Sequence, residues 1–329
     1  MPLTRRTLLT SSAATLPALG LQALDLSSAT PASAALPLSG KQAAEFYRFA
    51  LGNFEITAVY DGFWNRPIND KFVRNAPYTE VQKALANSFM PPDALAMPFT
   101  PLLVNTGRNV VLIDTGSGGQ LASTAGALVA NLVSAGVDAA SIDTVVISNF
   151  HPDHIDGLRT KDDALVFPNA EILVPRVEWT YWMDDAERTA AAEMYRPYFL
   201  NVRRVFRGLA ESVRPFETET EIIPGITAIA ASGHTPGHCV FTIASGHQSI
   251  MALCDTTNHP WLFARHPEWQ PILDMDGALA VKTRKRLLDR VAADRMPITG
   301  YHFPFPGYGH IIKTATGYDF VPVMWQTTL

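Results

Sequence analysis

Apolar and polar residues alternate over residues 54–60 and stop at Asp61-Gly62, a pattern that predicts a β-strand closed by a turn. Two short β-rich runs, Leu102–Asn105 and Val110–Ile113, flank Thr106-Gly107-Arg108-Asn109 and predict a hairpin that feeds Asp114-Thr115-Gly116. Over residues 121–132 the apolar positions recur at helical spacing as far as Gly136, and residues 144–147 are a β-branched run that reads as another strand. Residues 176–210, rich in Ala, Glu and Arg with interleaved aromatics, predict two helices capping the body. Further strands are expected at residues 226–230, 239–244 and 249–253. Residues 282–293 then read as an amphipathic helix with Lys282, Arg284, Lys285, Arg286 and Arg290 on its wet face. No repeat or linker interrupts residues 45–329, so the pattern predicts one α/β domain whose strands are buried between helices.

Composition narrows the class. With 329 residues, 47% hydrophobic and 17% charged, the chain is too apolar for a disordered protein and long enough to bury a large core. Lys+Arg 26 against Asp+Glu 31 leaves no basic excess, so no nucleic-acid partner is expected. Cys239 and Cys254 each sit in an apolar run and read as buried thiols, too few for a disulfide scaffold. At the N-terminus Arg5-Arg6, an apolar stretch to Leu26 and Ala32-Ser33-Ala34 predict a twin-arginine export signal over residues 1–34, followed by a periplasmic or secreted domain over 35–329. Ser11, Ser12, Pro17, Gly20 and Asp25 break that stretch, so no stable membrane span is expected from it.

All nine histidines lie after residue 150, and this asymmetry carries the chemistry. In Asn149-Phe150-His151-Pro152-Asp153-His154, His151 falls in a turn at the end of a strand while Asp153 and His154 open a helix, so three metal-capable groups converge. His234 follows the strand begun at Ile226, and Asp255 and His302 end two more strands. Imidazole nitrogens and carboxylate oxygens on such rigid bases suit zinc or another divalent transition metal. His238 and His310 read as structural, and His247, His259 and His266 as loop residues. Phe150, Trp179, Trp182 and Phe303 are the expected aromatic walls of a small-molecule pocket.

The series Asp114-Thr115-Gly116, His151-x-Asp153-His154, Gly233-His234-Thr235-Pro236-Gly237-His238, Asp255 and His302 resembles the metallo-β-lactamase superfamily. Residues 52–58, Phe305-Pro306-Gly307-Tyr308-Gly309-His310-Ile311 and residues 318–323 are similar to segments of its methyl parathion hydrolases. The resemblance implies an αββα sandwich with one metal on Asp153, His154 and His302, another on His151 and His234, and Asp255 bridging them. Asn149 stands where the motif has its first His and is expected to be a weak or absent ligand, leaving one or two zinc ions per chain. Asp114 is expected to support a ligand, Asp153 or Asp255 to orient the attacking water, and Leu121 to take the place of a pocket aromatic. The implied activity is zinc-dependent hydrolysis of a small ester, lactone or organophosphate triester. Alternatives are a metal-binding protein with weak or no catalysis, because of Asn149, and a β-lactamase. A small molecule is the expected partner, and a homodimer is compatible with the sequence.

Overall fold

A hairpin of β1 (Phe46–Leu51) and β2 (Phe54–Val59) leads into β3 (Gly62–Pro67), α1 (Tyr78–Asn87) and β4 (Ala94–Phe99), and β3 pairs with β4 as a separate antiparallel ribbon. Then follow β5 (Leu102–Asn105), β6 (Val110–Ile113), α2 (Leu128–Ser134), β7 (Thr144–Val146), α3 (Pro152–Ile155), β8 (Glu171–Pro175), α4 (Arg176–Met183), α5 (Asp185–Ala190), α6 (Arg196–Val205) and β9 (Val213–Phe216). The second half runs β10 (Thr220–Ile223), β11 (Ile226–Ala230), β12 (Cys239–Ser245), β13 (Gln248–Ala252), α7 (Gly277–Ala293), β14 (Ile298–Thr299), β15 (Tyr308–Lys313) and β16 (Tyr318–Pro322). This computed structural model describes residues 38–40, 42–326, 328 and 329, and the expected export signal lies outside them. Ala43–Leu329 is one compact unit, to which everything below refers.

The strands form two sheets, β1-β2-β5-β6-β7-β8-β9 and β10 to β16 in sequence order. Period-two alternation assigns each side chain its layer. Val104, Val111, Ile113, Val146 and Leu173 of the first sheet meet Phe241, Ile243 and Ile250 of the second. Their neighbours Leu103, Leu112, Val145, Ile172 and Val174 face the other way, onto Leu132, Trp182, Phe199 and Val202 of the helices. On the far side Val240, Met251 and Ile298 pack on Leu287, Leu288 and Val291 of α7. The result is the expected αββα sandwich. The β3–β4 ribbon, α1 and the helical turn Pro260–Ala264 share a fourth apolar cluster that includes Leu85, Leu95, Phe99 and Phe263.

Three expectations about elements are corrected. The helix expected from residue 121 begins only at Leu128, because Gly126 within that span holds φ at 103°, which no right-handed helix can contain. Residues 176–210 give three α-helices, since the Asp184 carboxylate accepts the N–H groups of Ala186 and Glu187 and starts α5 afresh. Arg284 is 1% exposed and not on the wet face of α7; its guanidinium donates to the carbonyls of Thr256, Pro267 and Trp269 and to Asp274. Both cysteines are free and buried. Among the described residues no helix is long and apolar enough to cross a membrane.

Candidate metal centre

β6 and β7 run parallel, as do β13 and β14, so the loops that leave their carboxyl ends emerge on common edges. Asp114 leaves β6, and the loop from Ser148 to His151 leaves β7 and caps α3, with Pro152 at the first helical position fixing the entry. His234, Asp255 and His302 follow β11, β13 and β14. These loops bring together all six residues expected as ligands. Asp255 is central: its Oδ2 lies 2.8 Å from His234 Nε2 and 3.0 Å from His154 Nε2, and its Oδ1 lies 3.1 Å from His302 Nε2. His151 Nδ1 is 2.8 Å from His234 Nε2, and Asp153 Oδ2 is 3.4 Å from His154 Nε2 and 3.5 Å from His302 Nε2.

The donors fall into two sets, His151 with His234 and Asp255, and Asp153 with His154 and His302, each with its ligand atoms within 4.8 Å of one another. Despite these approaches, His154 Nε2 and Asp255 Oδ1 are buried without a partner in hydrogen-bonding geometry. Buried polar atoms left this way are costly, and a cation between converging lone pairs removes the cost. Burial works to raise the carboxyl pKa of Asp255, but facing His154, His302 and His234 outweigh it and hold Asp255 well below the usual carboxylate range. Asp153 is lowered in the same way, burial being overcome by His154 and His302. Burial and then His234 push His151 down to about 3. His154 and His234 go the opposite way: burial lowers them, but the carboxylates around them prevail, Asp255 foremost, and lift His234 to about 9. The acidic centre thus draws protons to the places a divalent ion would neutralise, and the mixed imidazole–carboxylate set fits zinc or a similar ion.

Outer contacts aim the imidazoles. Asp114 Oδ2 is 2.8 Å from His154 Nδ1, and the same carboxylate accepts the Ser148 N–H and hydroxyl at 2.8 Å each. Asp114 holds φ at +61°, a conformation that a short polar side chain tolerates. Asp274 Oδ1 is 3.0 Å from His234 Nδ1, and Asp274 Oδ2 accepts from Arg284 at 2.8 Å. The Pro98 carbonyl lies 2.8 Å from His302 Nδ1. Tyr301 donates to the Asp153 carbonyl at 2.5 Å and stacks on His154. His238 accepts the Asp255 N–H at 3.2 Å, a backbone role outside both sets. Asn149 is buried and outside both sets as well: its Oδ1 accepts the His151 N–H at 2.9 Å, and its Nδ2 faces Asp255 Oδ2 at 3.3 Å.

One support joins two loops. Glu178 of α4 is fully buried; its Oε1 accepts the Phe150 N–H and the Trp182 indole N–H at 3.0 Å each, and its Oε2 accepts the Gly237 N–H at 2.7 Å. A side chain at position 237 would place its Cβ 2.2 Å from the Glu178 nitrogen, so glycine permits this approach. Glu178, Asp274, Arg284 and Tyr301 are the contacts that sequence reasoning misses. Their only signal is charge or an aromatic in a segment that reads as solvated or as ordinary core.

The cleft above the donors corrects the expected pocket. Its walls include Trp64, Met97, Phe99, Leu121, Tyr198 and Leu273, so of the five residues expected there only Leu121 lines it. Phe150 and Trp182 are 0% exposed in the core under the helices, where Phe150 stacks on Phe206 and Trp182 meets Phe199 at a tilt, and Trp179 packs against the same cluster. Phe303 belongs to the α7 core. Being next to His151 in sequence turns Phe150 away from the site, because adjacent side chains of extended chain point to opposite sides.

The chain matches the metallo-beta-lactamase superfamily over residues 100–296 and belongs to that superfamily. Among solved structures, AidC, a dizinc quorum-quenching lactonase in complex with its product N-hexanoyl-L-homoserine, is similar with a TM-score of 0.81 and 26% identity over 86% of this chain and 99% of AidC. The hydrolase AbOPH of the beta-lactamase superfamily is similar with a TM-score of 0.81 and 25% identity over 87% of this chain and 100% of that one. A probable metal-dependent hydrolase from Staphylococcus aureus shares the fold, with a TM-score of 0.66 at 18% identity over 84% of this chain and 100% of its own. A comparison with curated proteins gave no match. Family, fold and donor set make the chain a metal-dependent hydrolase.

Proposed function

We propose that this hydrolase uses zinc to cleave a small carboxylic ester or lactone. The observation that carries the reading is Asp255 standing between two ligand sets at the floor of a cleft with apolar walls. The likeness to a dizinc lactonase at 26% identity supports it. His151, His234 and Asp255 would hold one ion, and Asp153, His154 and His302 the other, with Asp255 reaching both. Zinc bound there supplies a Lewis acid for the carbonyl oxygen and lowers the pKa of water.

The chain's own residues do the rest. Asp114, Asp274 and the Pro98 carbonyl take the Nδ1–H of His154, His234 and His302, which fixes the tautomer and leaves each Nε2 for the centre. Asp153 is held anionic and accepts a hydrogen bond from the attacking water. The walls of Trp64, Met97 and Phe99 exclude bulk water and seat the apolar part of the substrate.

The test is turnover by zinc-loaded protein on a panel of a p-nitrophenyl ester, an N-acyl homoserine lactone, a paraoxon-type triester and a cephalosporin. Ester or lactone cleavage that is lost on chelation and in Asp255→Ala and His302→Ala, with folding retained, is the expected result. Turnover of the triester or cephalosporin alone would move the substrate class. No turnover of any of them would leave a metal-binding protein and end the enzyme reading.

A further inference from the structure

The cleft wall carries a charged group that hydrolysis does not use. Arg66 of β3 lines the cleft together with Tyr198 of α6, on the side of Asp153. Its guanidinium carbon lies 4.6 Å over the Trp64 ring and 5.9 Å from the Phe72 ring, and this stacking holds the planar head in place. Unlike Arg159, Arg204 and Arg284, whose heads donate to carbonyls or carboxylates, the Arg66 head makes no hydrogen bond or ion pair with any described residue. Burial pulls its pKa below the usual arginine value, and Tyr198 and Asp153 nearby offset only part of that. The Tyr198 hydroxyl likewise makes no hydrogen bond to a described residue, while its ring lies 5.5 Å from that of His151. Two sets of donors therefore face the same space with nothing to donate to, among walls that are otherwise mostly apolar.

We propose that Arg66 and Tyr198 form a subsite for a carboxylate that the substrate carries away from its scissile bond. A neutral carbonyl would satisfy an N–H group but leave a partly desolvated guanidinium without a hydrogen-bonded counter-charge, since Asp153 acts on it only from beyond ion-pair distance, whereas a carboxylate supplies both, with the fork geometry a guanidinium prefers. The donor sets at the floor of the cleft take the reacting ester, and the arginine selects substrates with an anionic end and an apolar body. This deepens the ester or lactone reading and rests on it.

The experiment compares two esters of equal acyl length, mono-4-nitrophenyl glutarate and 4-nitrophenyl pentanoate, on the zinc-loaded wild type, Arg66→Met, Arg66→Lys and Tyr198→Phe. Arg66→Met should lower kcat/KM for the glutarate ester about tenfold or more, mainly through KM, and leave the pentanoate ester within about twofold, the range expected for a charge-assisted hydrogen bond. Arg66→Lys should keep part of the preference, and Tyr198→Phe should lose a smaller part. Binding is measured in parallel, as the affinity of zinc-loaded protein for glutarate over pentanoate, where one carboxylate takes the metals in both ligands and only glutarate has a second. If neither ester turns over, the ester reading fails, and the binding ratio still decides the subsite. The subsite is overturned if wild type shows no preference for glutarate, or if Arg66→Met retains it.

Discussion

Glu178 ties the loop that carries His151 to the loop that carries His234 through the Phe150 and Gly237 N–H groups, both accepted by one buried carboxylate that the Trp182 indole N–H steadies. The two imidazoles belong to the same ligand set, so their separation depends on this tie. Glu178→Gln keeps the shape but turns one acceptor into a donor facing an N–H. The expected result is about tenfold or greater weakening of one zinc-binding step, with the other step changed far less, since a buried N–H left without an acceptor costs about 1–3 kcal/mol. Stepwise zinc titration checks it; two unchanged steps would show that Glu178 serves α4 alone. Such supports are hard to read in a sequence. His151-x-Asp153-His154 is legible because its spacing is local, whereas Glu178 and Arg284 sit in helical stretches where a charge ordinarily means water. Their burial is decided by loops 59 and 10 residues away, which no local pattern records.

At the scale of elements, α3 is only four residues long and depends on what it abuts. The Thr115 N–H and hydroxyl both donate to the His154 carbonyl, at 2.9 and 2.7 Å, locking the loop after β6 onto the ligand helix. Just beyond α3, a Cβ at Gly157 would lie 1.8 Å from the Thr115 carbonyl oxygen. Gly157→Ala should therefore part the two segments, costing about 1–3 kcal/mol by overpacking and weakening zinc binding at the set containing His154, where Asp114 orients the ring. Thermal unfolding with a zinc titration measures both, and loss of stability with unaltered binding would uncouple them. The strands of the sandwich are legible where continuous apolar runs are buried on both faces: β5, β6 and β11 fall on the residues their runs predict. The β3–β4 ribbon is not, since Trp64, Asn65 and Arg66 are half-buried or exposed and Pro67 and Pro98 interrupt the pattern. That ribbon supplies much of the cleft wall, which is why the pocket is harder to foresee than the ligand set.

For the whole molecule, the ligand sets draw on both sheets. His151, Asp153 and His154 follow β7 of the first, and His234, Asp255 and His302 follow β11, β13 and β14 of the second. A bound ion would be a cross-link between the layers, so its free energy adds to that of the sandwich core. Zinc present at a hundred times its dissociation constant stabilises by about 2.7 kcal/mol. For a domain of this size that corresponds to a fall in Tm of roughly 4–5 °C on chelation, reversed by adding zinc back. An unchanged Tm would exclude a cross-linking ion, and His302→Ala should show a smaller chelation effect than the wild type.

The four imidazoles do not enter the centre alike. His154, His234 and His302 present Nε2, but His151 presents Nδ1 and keeps its Nε2 buried without a partner. The centre therefore carries a built-in isotopic signature. In ¹⁵N-labelled, zinc-loaded protein, one ring should show its metal-shifted nitrogen at the δ position and three at the ε position. The odd resonance should vanish in His151→Gln, which would identify that ring without a crystal.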